Sequence, residues 1–193
     1  MLLNTHPDGK KRCAWANLKN PTYVRYHDEE WGVPVKDDRI LFEFLVLESF
    51  QAGLSWEIVL NKRKGFEKAF QKFDPKKVAL FTEKDVQRLK LDASIIRNEA
   101  KIRATINNAK LFLGMQKEFG SFSAYQWSFT KGKIVKGNWT EKDAIPATTP
   151  LSDTIAADLK KRGFKFLGST VVYAHLQATG VIQDHLTGCW RYK

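Results

Sequence analysis

Asp37-Asp38-Arg39-Ile40-Leu41-Phe42-Glu43-Phe44-Leu45-Val46-Leu47-Glu48-Ser49-Phe50-Gln51-Ala52-Gly53 is the segment around which the rest of the chain arranges itself. Two aspartates precede a dense apolar run and Gly53 closes it, which are the start and stop signals of a helix. Leu41, Phe44, Leu45 and Glu48 fall at i, i+3, i+4 and i+7, so an acid shares a face with three large hydrophobes. Phe42, Val46 and Leu47 make the neighbouring faces apolar too, which predicts a helix buried nearly all round. A buried carboxylate is costly unless it is paired or hydrogen-bonded. Glu48 is therefore either a structural acid satisfied by backbone groups or an arginine, or a ligand-facing acid in a pocket.

Helical signals dominate on both sides of this segment. Ser55 starts a second helix through Trp56, Val59 and Leu60, with a break around Gly65. Asp74-Pro75 reads as an N-cap followed by proline at the first helical position, opening a short helix to Phe81. Thr82 and Asp85 form a capping box for a helix reaching Leu89 or Leu91. Ile102, Ile106, Ala109 and Leu113 mark a long amphipathic helix ending between Gly114 and Gly120. Residues 130–150, with Gly132, Gly137, Pro146 and Pro150, read as a long connection. Leu151-Ser152-Asp153 opens a helix to Lys161 with Gly163 as its C-cap residue, and a last helix runs from about Gly168 to Thr179, stopped by Gly180. Strand-like alternation is scarce, so the expected fold class is all-α.

The chain of 193 residues suits one domain, or two small lobes sharing an interface. Its formal net charge of +11 favours a polyanionic partner, nucleic acid or an anionic membrane surface, the alternative being a charge that only keeps the protein in solution. The longest apolar runs, such as Phe44–Leu47 and Thr170–Tyr173, fall far short of the ~20 residues that span a bilayer. Residues 1–12 combine two leucines with polar residues, Pro7, Asp8 and Gly9, and lack the apolar core of a signal peptide. They are expected to be a disordered leader to a single unit over residues 13–193, in a cytoplasmic protein.

Three further constellations stand out. Cys13 and His27 lie near the start of the chain, and His185 and Cys189 near its end. A Cys2His2 set suits a closed tetrahedral zinc site that would tie the two ends together; two buried thiols and two unrelated histidines are the alternative. Trp15, Tyr23, Tyr26, Trp31, Phe50 and Trp56 crowd the first third of the chain. Such aromatics are either core or, around a carboxylate, a platform for a flat cation. Leu89 to Asn98 joins two helices through a tight turn, either a plain connection or a hairpin whose free backbone N–H groups grip a phosphate.

Taken together, these segments resemble the 3-methyladenine DNA glycosylase I family. The matching pieces are Arg12-Cys13-Ala14-Trp15, Tyr26-His27-Asp28-Glu29-Glu30-Trp31-Gly32-Val33-Pro34, and Leu47-Glu48-Ser49-Phe50-Gln51-Ala52-Gly53-Leu54-Ser55-Trp56. Ile95-Ile96-Arg97-Asn98, Lys160-Lys161-Arg162-Gly163-Phe164-Lys165-Phe166-Leu167-Gly168 and Asp184-His185 with Cys189 follow in order. The resemblance implies a helix-hairpin-helix DNA glycosylase fold of two helical lobes, one built by both termini around a zinc site and one central lobe with the hairpin. It implies one structural Zn2+ on Cys13, His27, His185 and Cys189, remote from the chemistry. It also implies a base pocket in which Glu48 accepts hydrogen bonds from a flipped base, Trp56 stacks on it and Tyr26 closes it, with Trp15 and Trp31 nearby.

Ser94, Ile95, Ile96 and Arg97 would hold the DNA backbone. The implied activity is hydrolysis of the N-glycosidic bond of 3-methyladenine in double-stranded DNA by a monomer, leaving an abasic site. Three positions depart from the family's pattern. Ser49 and Ser94 stand where glycine is common, and Gln183 where asparagine is. A hairpin position with positive φ would disfavour Ser94. Arg97-Asn98-Glu99-Ala100 supplies neither the activating aspartate nor the nucleophilic lysine of many hairpin relatives. A non-catalytic module that recognises alkylated DNA is the competing expectation.

Overall fold

Asp37 accepts hydrogen bonds from the N–H groups of Arg39 and Ile40 and so starts helix α2, Asp38–Gln51, which is buried along most of its length as the apolar run predicts. In the computed structural model, which describes residues 3–141 and 144–192, this helix is the axis of the molecule. It packs against α3 (Trp56–Asn61), α7 (Glu99–Phe119), α8 (Phe122–Ser128) and α10 (Ser169–Ala178). Phe42, Phe44 and Phe50 on α2 meet Phe66, Phe70, Phe112 and Phe122 in one continuous core. Each such ring, fully buried, contributes roughly 1.5–3 kcal/mol.

Both ends of α2 are fastened. At its start the Asp38 carboxylate accepts from the backbone N–H groups of Phe122 and Ser123, at 2.8 Å each, and from the Gln116 amide at 2.7 Å. A negative charge thus sits on the open N-terminus of α8, where the helix dipole favours it. At its end the Lys101 ammonium donates to the carbonyls of Phe50 at 3.0 Å and Ala52 at 2.9 Å.

The other helices follow their sequence signals with some shifts. Asp74 caps α5, Pro75–Val78, which stops one turn before Phe81. Thr82 and Asp85 form the capping box of α6, Glu83–Leu91. Thr149, not Leu151, begins α9, Pro150–Lys161, because its hydroxyl accepts from Ser152 N–H with proline at the first position. The break after α3 falls at Lys62, and Gly65 lies inside α4, Arg63–Ala69. That glycine is there for close packing: a Cβ on it would stand 2.3 Å from the Ser94 carbonyl oxygen. Helix α1, Pro21–Arg25, and the wide π-type turn Tyr26–Glu30 that continues it carry no strong periodic signal and are absent from the sequence expectation.

Residues 3–12 correct the expected leader. Leu3–Thr5 (β1) pairs antiparallel with Lys11–Cys13 (β2), with Leu3 opposite Cys13, closed by the turn from His6 to Lys10. Arg12 is buried against Asp8 and Asp28, and Trp190 N–H bonds the Lys11 carbonyl, so the ribbon is packed on the chain's other end. Three-residue strands are too short to show alternation. The long connection after α8 likewise holds β3, Val135–Lys136, which pairs in parallel with β4, Ile182–Gln183. No helix among the described residues is long and apolar enough to cross a membrane.

Candidate metal centre, base pocket and hairpin

Residue 13 closes the β1–β2 ribbon, residue 27 lies in the π-type turn, and residues 185 and 189 follow β4. These four side chains converge. One ligand atom from each of Cys13, His27, His185 and Cys189 falls within 4.8 Å of the others, and all four residues are buried. Cys13 Sγ and Cys189 Sγ are each 3.6 Å from His185 Nδ1, and Cys189 Sγ is 3.5 Å from His27 Nε2. Ligands about 2.0–2.3 Å from a tetrahedral ion stand roughly 3.3–3.8 Å apart, so the spacing fits one.

The outer ring atoms are also held. His27 Nδ1 is 2.8 Å from Asp28 Oδ1, and His185 Nε2 is 3.0 Å from the Trp31 carbonyl oxygen, partners that orient an imidazole ligand. Burial works against the Asp28 anion, yet Arg12 and His27 together hold its carboxyl below the usual range. The two thiols share one proton between them: the hydrogen bond with Cys13 and the two imidazoles favour the Cys189 thiolate, while Cys189 and burial hold Cys13 as a neutral thiol. The group is able to hold a metal ion.

Next to this cluster lies a cavity of about 310 Å³ lined by Trp15, Tyr23, Tyr26, Trp31, Glu48, Gln51, Trp56, Ile145, Ala174 and Gln177. Helix α2 delivers Glu48 one turn before its end, Ser55 caps α3 so that Trp56 is its first residue, and Tyr26 opens the π-type turn. The Tyr26 and Trp56 rings are 5.2 Å apart at 47°, while Trp15 meets Trp31 at 4.8 Å and Tyr23 at 5.6 Å. All five predicted pocket residues are thus brought to one cavity.

Glu48 is only 4% exposed and forms no hydrogen bond or ion pair with any described residue; burial pushes its carboxyl up to about 8. Tyr26 is raised well above an ordinary phenol, by burial first and then by the neighbouring Glu48 charge. The Trp56 indole N–H is buried without a partner among the described residues. A carboxyl with free oxygens among π-faces can take a flat, positively charged, hydrogen-bonding ligand and gives a neutral one less.

The metal cluster and the cavity share a wall. The Trp15 ring lies 5.1 Å from His27 and Trp31 lies 4.6 Å from His185, so a single aromatic layer separates the four ligands from the cavity. This corrects the expectation that the metal group is remote. Of the aromatics that could have been core or platform, Tyr23 lines the cavity and Phe50 is core. Gln51, Ile145, Ala174 and Gln177 were not among the predicted site residues, although Gln51 lies one helical turn from Glu48 and was findable by that spacing. Nothing local marks Ile145, Ala174 or Gln177.

The segment from Asp92 to Asn98 links α6 to α7. Asp92 Oδ1 accepts from Ser94 N–H at 2.8 Å and from the Ser94 hydroxyl at 2.6 Å. Ser94 is not among the residues with positive φ, so the expected penalty for serine does not arise. The turn is built by the aspartate side chain instead of by a glycine. Ile95 is the buried anchor, Arg97 is exposed and unpaired with any described acid, and the N–H groups of Ile96 and Arg97 have no partner among the described residues. Lys90 and Glu99 close the base of the hairpin at 2.7 Å.

The family described as methyladenine glycosylase matches residues 15–192. The chain belongs to that family. Among its relatives, DNA-3-methyladenine glycosylase 1 of Escherichia coli (strain K12) is 46% identical over 182 residues, spanning 94% of this chain and 97% of that protein. A crystal structure of 3-methyladenine DNA glycosylase I superposes with a TM-score of 0.91 at 46% identity, covering 94% of this chain and all of the other. A variant of 3-methyladenine DNA glycosylase I in complex with 3-methyladenine matches at 37% identity with a TM-score of 0.88, over 92% of this chain and 95% of that one. The helical architecture is therefore the methyladenine glycosylase fold.

Proposed function

We propose that the protein is a base-excision repair enzyme that hydrolyses the N-glycosidic bond of 3-methyladenine in alkylated double-stranded DNA and leaves an abasic site. The observation that carries this reading is Glu48, a buried carboxyl without a partner among the described residues, in an aromatic cavity. Methylation at N3 makes adenine a cation, which weakens its bond to deoxyribose because the base departs neutral. Little acid catalysis is then needed, in keeping with the absence of an activating aspartate after the hairpin. The damaged nucleotide leaves the stack at a cost of a few kcal/mol. In the pocket Glu48 accepts the base's N–H groups as a carboxylate, Trp56 stacks on it and Tyr26 closes over it. Each cation–π contact contributes roughly 0.5–2 kcal/mol, so selectivity comes from the pocket together with the lability of the charged base.

In the same reading, Ser94 to Arg97 seat the DNA backbone, and one zinc ion on Cys13, His27, His185 and Cys189 holds the aromatic wall in place. The pocket lies between a lobe of both termini and a central lobe with the hairpin, in a monomer acting in the cytoplasm. The competing reading, a non-catalytic module for alkylated DNA, rests on Ser94 and the missing aspartate, and the aspartate-built turn at Ser94 removes the first of these. Incubation with methylated duplex DNA separates them: free 3-methyladenine appears faster than in protein-free DNA. Release at the spontaneous rate alone would overturn the enzyme reading.

A further inference from the structure

Lys101 is a buried cation that makes no ion pair with a carboxylate among the described residues. Its side chain is in a residue only 7% exposed, and burial lowers its basicity. Its two hydrogen bonds go to the carbonyls of Phe50 and Ala52, at the C-terminal end of α2. A helix C-terminus is ordinarily satisfied by water or by an exposed basic side chain, at little cost. Burying an ammonium to do so is expensive.

The two carbonyls occupy a particular place. Gln51, which lies between them, lines the cavity; Glu48 precedes them by one turn; and the segment after Ala52 leads through Ser55 to Trp56. Lys101 itself is the third residue of α7, and its own N–H is bonded at 3.1 Å by Asn98, the residue that ends the hairpin. One residue therefore joins the end of the hairpin, through its backbone N–H, to the end of α2 that leads on to Trp56, through its ammonium.

We infer that Lys101 is the positioning residue that fixes the base pocket relative to the DNA-holding hairpin, so that a nucleotide extruded from a seated duplex meets Glu48 and Trp56 in register. The inference rests on the excision reading above. It assigns Lys101 no contact with the base.

The test compares Lys101→Met with wild type by three measurements on the full chain: single-turnover release of 3-methyladenine at saturating duplex, affinity for undamaged duplex, and affinity for free 3-methyladenine read by tryptophan fluorescence. Release falls at least tenfold more than either affinity, because each half works and their register is lost. Lys101→Arg, which keeps charge and donors in a longer side chain, recovers part of the rate and covers the case in which the methionine variant folds poorly. Release unchanged in Lys101→Met, a loss fully matched by the two affinities, or, where Lys101→Met is unfolded, a folded Lys101→Arg with wild-type release or with a loss its affinities match, overturns the inference while leaving excision standing. Absence of release by wild type overturns the excision reading and the inference with it.

Discussion

Glu48 prefers to be a neutral acid when the pocket is empty, since burial raises it to about 8. In the unfolded chain the same group ionises near 4.5. Between these values the folded state holds a proton that the unfolded state has lost, so stability falls as pH rises through the window, by about 1.4 kcal/mol per unit. Glu48→Gln removes the titration: its melting temperature exceeds that of wild type increasingly from pH 5 to pH 8, and the two coincide below 4.5. Excision runs the other way. A cationic base calls for the carboxylate, so wild-type kcat/KM climbs up to about pH 8 and then levels, whereas Glu48→Gln loses at least tenfold and shows no such climb. At this scale the sequence is informative where spacing is local. The i, i+3, i+4, i+7 pattern shows Glu48 on a hydrophobic face, but it does not show whether an arginine meets it, since that depends on packing against α3 and α10. Ser94 shows the limit: the cost assigned to it assumed a glycine-type turn, and Asp92 builds another kind.

Helices were legible wherever a cap and a periodic face coincide, as at Asp37, Asp74 and Thr82, and their ends were less so. Gly65 is instructive, because a glycine in a helical pattern suggests a break when its real constraint arrives from residue 94. Gly65→Ala forces the hairpin off α4, since the new methyl overlaps the Ser94 carbonyl. The expected loss is about 1–3 kcal/mol of stability, the range of an overpacked contact, together with weaker DNA binding, read by thermal denaturation and duplex titration. Arg97→Ala leaves folding intact and lowers affinity for all duplexes alike, and the slope of log affinity against log salt shrinks by about 1. Unchanged salt dependence would remove Arg97 from the phosphate contacts. The two-stranded ribbons, two or three residues per strand, offered no pattern to read, and each depends on a partner strand that local sequence does not point to.

Over the whole molecule, residues 13 and 27 must meet 185 and 189, and only the last pair has spacing that signals a metal site. The rest of the constellation was found as a set of residue types, and its placement against the cavity wall was not readable at all. Cys189→Ser lowers metal content and costs of the order of 5 kcal/mol, the scale of a lost cross-link closing a long loop. Metal analysis and chemical denaturation check this, and full stability in a metal-free protein would refute the staple. Chelation of the wild type shifts the melt in the same direction.

The shared wall of metal cluster and cavity has a consequence for birth on the ribosome. Trp15 and Trp31 emerge early, whereas Ala174, Gln177 and both late ligands emerge last. A nascent chain can collapse around α2 before then. It cannot yet complete the cavity, because the part of the wall that Ala174 and Gln177 supply is still unsynthesised. Competence for damaged bases thus arrives in one step, when the tail docks.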